Sequence, residues 1–324
     1  MTSALTDRKR RRTIVRAAAA LAVIFFVSIL VESATASLAE RVHTYVSSEF
    51  GIFANAYLLE TPDGVVAIDT TLTVSDAKAF RERLAALGRP LLAVLLTHGH
   101  PDHYNGLTQL AAEAEVPIIA TEDVDRVIRE WDARKEEQWK STFGDEWPTR
   151  RTFPNRTIRH GDSVSFGGVR FTAYDLGPGE SHHDAYWLAD DGTSRVAFIG
   201  DLAFNGEHAY VSDGHTGSWL KNLDSAHWAL AGVALIYPGH GPAGGLELLD
   251  QQRRYIEHYR ESVRTLARGR TSLTDAEKGQ LTEVMTTFLP KGRLTFLISN
   301  GADAVAAELA AEASPDRMLR RDER

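Results

Sequence analysis

One stretch, Thr97-His98-Gly99-His100-Pro101-Asp102-His103, restricts this chain more than any other. It follows Leu91-Leu92-Ala93-Val94-Leu95-Leu96, a short apolar run that predicts a buried strand. Gly99 and Pro101 stop that strand and predict a tight loop at its C-terminal end. Three imidazoles and a carboxylate then crowd one loop, and both groups are good ligands for zinc and similar divalent ions. So short a loop cannot easily bring all four onto one ion, and dividing them between two neighbouring ions is geometrically easier. The competing reading is a His-rich surface turn. It is a fair rival for a lone His-x-His, and a poor one for His-x-His-x-Asp-His after a buried strand.

The run His98-Gly99-His100-Pro101-Asp102-His103 resembles the signature of the metallo-β-lactamase-fold hydrolases. Four more patches resemble that family in the same order. Asn55-Ala56-Tyr57-Leu58-Leu59 with Val66-Ala67-Ile68-Asp69-Thr70 is similar to its N-terminal strand pair. Gly179-Glu180-Ser181-His182-His183-Asp184 is similar to the segment carrying the next histidine ligand, and Phe198-Ile199-Gly200-Asp201 to the strand end carrying a bridging aspartate. Tyr237-Pro238-Gly239-His240-Gly241 is similar to the loop carrying the last histidine. The resemblance covers residues 42–262. It implies an α/β fold, the four-layer αββα sandwich, with extra C-terminal helices. It also implies two Zn²⁺ ions, or iron or manganese in their place. One ion would be held by His98, His100 and His182, the other by Asp102, His103 and His240, with Asp201 bridging them.

Such a pair of ions would lower the pKa of a shared water enough to make hydroxide near neutral pH, ready to attack an ester, lactone, thioester or amide carbonyl. Asp102 would orient the nucleophile and move a proton. Asp69 is a candidate to steer a ligand histidine, with a turn-capping role as its rival. The family pattern favours His182 over His183 as ligand, and His183 would then line the pocket. Tyr104, Tyr210 and His215 are further pocket candidates, whereas Trp187 and Trp219 read as core.

Charge and composition narrow the partners. The net charge is −8, and Arg8, Lys9, Arg10, Arg11, Arg12 and Arg16 crowd the start, so the remainder is more acidic still. That argues against a nucleic-acid partner and for a small-molecule substrate. No cysteine is present, so no disulfide or thiolate ligand is available. After the basic start, Ala17 to Val31 is uncharged and mostly apolar, and Ala34-Thr35-Ala36 is a small-x-small site. This predicts a secretory signal peptide over residues 1–36, or a retained membrane anchor facing outward. The uncharged run of 15 residues is short of the roughly 20 needed to span a bilayer. Arg11-Arg12 also loosely matches a twin-arginine export signal. The expected location is periplasmic or secreted.

A catalytic domain is expected over residues 37–262 and a helical extension packed on it over 263–324. Strands are predicted at 42–46, 54–59, 65–69, 91–96, 117–120, 185–188, 196–199 and 233–236, with paired strands across 156–175. Helices are predicted at 75–87 (capped by Ser75), 104–115, 123–140, 218–230, 246–267, 274–288 and 302–311. Residues 141–154 read either as a flap near the site or as a packed surface excursion.

The leading function is an exported binuclear zinc hydrolase. Asp201 stands where β-lactamases of the family usually carry cysteine or serine, which opposes the β-lactamase reading that export favours. Two further functions compete with it: a mononuclear iron dioxygenase or oxidoreductase of the same fold, and a non-catalytic metal-binding module.

Overall fold

The computed structural model describes residues 36–111 and 115–314. The basic and apolar parts of the leader lie outside them. Among the described residues, no helix is long and apolar enough to cross a membrane.

Two sheets form the centre. The first runs in the order β1 (Val42–Val46), β2 (Asn55–Thr61), β3 (Gly64–Ile68), β4 (Leu91–Leu95), β5 (Ile118–Thr121) and β6 (Arg156–Ile158). β1–β2 and β2–β3 are antiparallel, and β3 through β6 are parallel. The second sheet has the order β11 (Leu235–His240), β10 (Arg195–Phe204), β9 (Asp184–Asp190), β8 (Val169–Gly177) and β7 (Ser163–Phe166). It is antiparallel except for the parallel β10–β11 pair.

The period-2 alternation of strand side chains explains the layering. Tyr57, Leu59, Val66 and Ile68 point from the first sheet into a core shared with Phe171, Trp187, Val196 and Phe198 of the second. Their neighbours Ala56, Leu58, Val65 and Ala67 point the other way, against helices. With both faces covered, the strands read as continuous apolar runs. The helices on that side are α1 (Val74–Ala86), α2 (Pro101–Tyr104), α3 (Leu107–Ala111) and α4 (Glu122–Phe143), supplying Phe80, Tyr104, Leu107 and Ile128. Ala197, Ile199 and Ile236 of the second sheet pack on α5 (Thr216–Ala229), α6 (Glu247–Ala267), α7 (Asp275–Phe288) and α9 (Ala302–Glu312), through residues such as Trp219, Ile256, Met285 and Val305. A single turn, α8 (Phe296–Asn300), joins the last two. The result is the four-layer αββα sandwich.

Residues from Leu38 onward form one compact unit, and the expected boundary at 262 falls inside α6. Thr73, not Ser75, caps α1: its hydroxyl accepts from the Asp76 amide, while Ser75 bonds Glu146. Of the helix expected at 104–115, residues 107–111 form α3 and 112–114 lie outside the described residues; it starts late because the Gly106 amide donates to the Thr71 carbonyl. β10 runs past its expected end to Phe204. Residues 141–154 are packed down: Trp147 is fully buried beside Leu72 and Phe143, and Arg151 pairs with Asp132 over the Tyr104 ring. Trp187 and Trp219 are buried and donate to the Leu96 and Leu202 carbonyls.

Candidate metal centre

The parallel strands bring their C-terminal ends to one edge, as in other α/β architectures where sites are built on such edges. The loop after β4 carries His98 and His100. Pro101 opens α2 at its first position, where its missing N–H costs nothing. That short helix presents Asp102 and His103. β10 contributes Asp201, and β11 ends at His240. The two sheets are tied at this edge by bridges between His98 and Asp184 and between Ala54 and His240. Asn55 adds bonds to the Pro238 and Gly241 carbonyls.

Asp102, His103, Asp201 and His240 form one buried group. His103 Nε2 lies 3.3 Å from Asp102 and 3.4 Å from Asp201, and His240 Nε2 lies 3.2 and 3.4 Å from the same carboxylates. His98, His100 and Glu180 form a second group, with Glu180 Oε2 3.5 Å from His98 Nε2 and 2.8 Å from His100 Nδ1. Asp201 lies between the groups, 4.0 Å from His98 Nε2.

The sequence placed His182 where Glu180 stands. Asp184 decides the difference: its carboxylate accepts from the Glu180 and Ser181 amides and the Ser181 hydroxyl, closing a turn that aims Glu180 inward. His182, two residues on, lies outside the group, with Nδ1 2.8 Å from His215 Nε2 and its ring against Trp131. His183 faces Asp175 at 3.3 Å, and Tyr104 donates to Asp132, so neither they nor His215 line the pocket beside the centre. Tyr210 does line it.

Several polar atoms here are buried without a well-aligned hydrogen-bond partner: His98 Nε2, His103 Nε2, Glu180 Oε1 and Asp201 Oδ1, while Glu180 Oε2 has the His100 ring beside it. Leaving such atoms unpaired costs about 1–3 kcal/mol each, more when charged. Donor atoms 3.2–3.5 Å apart are spaced as ligands about 2 Å from a common tetrahedral cation would be. The residues fit a pair of divalent ions.

Other side chains fix the orientation of the imidazoles, as outer carboxylates do around metal ligands. Asp69, in a left-handed conformation at φ 55°, accepts from the Thr97 amide and hydroxyl and lies 3.0 Å from His103 Nδ1. Asp213 lies 3.0 Å from His100 Nε2 and is held from the other side by Lys135 of α4 at 3.2 Å. Neither Asp213 nor Lys135 carries a sequence signal. They are 78 residues apart, on different elements. Glu180 had one, since carboxylate and imidazole are both competent ligands in that segment.

Burial alone would lower the buried imidazoles. Glu180 and Asp213 override it at His100 and push it up to about 10, and Asp201 and Asp102 push His240 up to about 9. Burial opposes the ionised form of Asp102, yet His103 and His240 hold it well below the usual carboxylate range. Burial pushes the Glu180 carboxyl up. The metal-free centre therefore carries protons at pH 7 that a cation must displace. The raised imidazole values stabilise the metal-free fold fully below about pH 6.5, and that contribution fades as pH rises toward about 9–10. Zinc affinity is expected to climb over the same window, with proton release, in calorimetric titrations at pH 6.5, 7.5 and 8.5. A flat affinity would contradict this account.

Gly239 is a tight point. A Cβ there would sit 1.8 Å from Asp201 Oδ1 and 2.9 Å from His103 Cε1. Gly239→Ala is expected to displace Asp201 and lower bound metal by about one ion per chain while the circular dichroism spectrum stays unchanged. Full metal content in that variant would mean the Asp201 position is not needed.

The family model described as Metallo-beta-lactamase superfamily matches residues 50–240. A hydroxyacylglutathione hydrolase of Erythrobacter litoralis is 26% identical over 150 residues, 46% of this chain and 47% of that protein. One from Bdellovibrio bacteriovorus is 28% identical over 154 residues, 47% and 51% of the two chains. The chain thus spans about half the length of these relatives. A beta-lactamase domain protein from Burkholderia ambifaria superposes with a TM-score of 0.61 at 20% identity, covering 86% of this chain and 88% of that one.

Proposed function

The chain belongs to the metallo-β-lactamase superfamily, and from that premise we propose that it is a binuclear, zinc-dependent hydrolase that attacks the carbonyl of an ester, lactone, thioester or amide in a small molecule. The carrying observation is the convergence of unpartnered, buried His98, His103, Glu180 and Asp201 atoms on one edge. In this reading His98, His100 and Glu180 hold one ion, Asp102, His103 and His240 the other, and Asp201 lies between. Bound there, two such ions supply a water acidified to near neutral pH and a Lewis acid for the substrate oxygen.

The chain's own residues do the rest. Asp102 faces the pocket, takes the proton of the attacking water and returns it to the leaving oxygen, sulfur or nitrogen as the bond from the acyl carbon to that atom breaks. Asp69 and Asp213 keep His103 and His100 in the tautomer and orientation a ligand needs. The Tyr210 hydroxyl donates to Asp213, so it braces this network. The hydroxyacylglutathione hydrolase names of the relatives favour a thioester or ester over a β-lactam amide. The basic, then apolar leader supports export, by signal peptide or anchor.

A second reading has one specific support. Two histidines and Glu180 make the ligand set of non-haem iron oxygenases. The filled Asp102–His103–His240 group weighs against it.

The test is turnover by the zinc-loaded chain against ester, thioester, lactone and β-lactam panels, with metal content measured. Hydrolysis of one class supports the proposal. No hydrolysis at full zinc content, or oxygen consumption by the iron-loaded chain, overturns it.

A further inference from the structure

The pocket beside the metal centre opens to solvent, and about 600 Å³ of space, the open mouth included, lies between its lining residues. Its polar lining is the centre itself with Lys135 and Tyr210. The rest is apolar: Ile52, Leu72, Trp139, Phe143, Phe296 and Leu297 among others. Lys135 is engaged by Asp213 and offers no free charge to a ligand. We propose that this apolar part takes an uncharged linear acyl chain, so that the scissile carbonyl at the metal centre is that of a medium- or long-chain acyl ester or thioester. The inference rests on the hydrolase reading for the reacting bond, but the chain-binding wall stands on its own geometry.

Three segments build the wall. From α4, Trp139 and Phe143 pack on the fully buried Trp147, with Phe143 centroids 6.4 and 6.2 Å from the two indoles. From the turn before β2 comes Ile52, at φ 55°. That conformation is a genuine outlier for a β-branched residue and persists only where surroundings enforce it. Here the Ile52 and Phe53 amides donate to the Glu49 and Ser48 carbonyls. The Arg293 guanidinium lies 3.7 Å from the Phe53 ring centroid and pairs with Glu207. From α8 come Phe296 and Leu297, beyond the residues shared with the family model. Phe296 is 46% exposed and Phe50 49%, the latter with its ring 5.1 Å from that of Phe143, so the mouth is aromatic as well. Exposed apolar groups clustered at a pocket rim mark a ligand surface rather than chance exposure.

Burying a methylene changes binding by a factor of about four. With the zinc-loaded full chain and p-nitrophenyl esters from acetate to decanoate, kcat/KM is expected to rise by about that factor per methylene until the pocket is filled. Phe296→Asp is expected to cut the decanoate-to-acetate ratio of kcat/KM by about tenfold or more. A flat or falling series from an enzyme that does cleave the acetate ester overturns the acyl pocket and leaves the hydrolase reading standing. No turnover of any ester or thioester strikes the hydrolase reading instead. In that case decanoate binding, read as saturable quenching that Trp139→Phe diminishes, decides the pocket by itself. Quenching supports it, and its absence overturns it.

Discussion

His103→Ala is expected to lower kcat/KM by about 10³-fold or more and to reduce bound zinc by about one ion per chain. His103 is fully buried, and three carboxylates converge on its ring: Asp69 on Nδ1, Asp102 and Asp201 on Nε2. Its imidazole is raised well above its ordinary value by Asp102 and Asp201 against the opposing effect of burial. Without the ring, those carboxylates face one another across a void with no donor between them. A buried charge stripped of its partner costs about 3–5 kcal/mol, so the metal-free variant should also unfold earlier. Metal analysis, kcat/KM and thermal denaturation with and without chelator check this. His43→Ala, at an exposed strand position paired only with Glu60, is the control expected to change none of them. Wild-type turnover in His103→Ala would remove the two-ion account.

Glu180→Gln is expected to weaken zinc binding at the His98–His100 group by at least about 100-fold. The amide keeps the shape of the side chain and loses the anionic ligand. His100 loses the nearest carboxylate that raises it. Glu180→His is expected to hold zinc more tightly than the natural chain and to hold manganese or iron less well, because imidazole is the softer ligand. Competition with a chromophoric chelator reads both. His182→Ala is expected to leave zinc affinity unchanged, since His182 is spent on His215 and Trp131. If affinity instead fell in His182→Ala and held in Glu180→Gln, the histidine named by the family resemblance would regain the position.

These two positions show where reading the chain succeeds and where it stops. His98, His100, Asp102 and His103 were legible because they are neighbours in sequence, after a strand whose apolar run is unmistakable. Asp201 and His240 were legible from the apolar runs that lead into them, His240 at the end of β11 and Asp201 within β10, which continues to Phe204. Glu180 was not. In the segment 179–184 four residues, Glu180, His182, His183 and Asp184, are competent ligands, and the choice among them depends on which side chain a turn aims inward. That turn is closed by Asp184, which also begins β9 and bridges to His98 of the other sheet. The start of the helix expected at 104–115 was misplaced on a similar ground: the pattern is helical, but the Gly106 amide is taken by the Thr71 carbonyl.

The sequence by itself determined the layered α/β architecture, the strand ends that carry most of the centre and the chemistry those ligands permit. All of these follow from local runs of apolar residues punctuated by Gly, Pro, His and Asp. The tertiary structure alone decided that Glu180 completes the His98–His100 group, that Lys135 and Asp213 brace His100, and that α4, the Ile52 turn and α8 close an apolar wall beside it. Those residues are far apart along the chain and carry no common spacing. They meet only because two sheets pack face to face and their helices end at the same edge, which is a property of the packed core and not of any one segment.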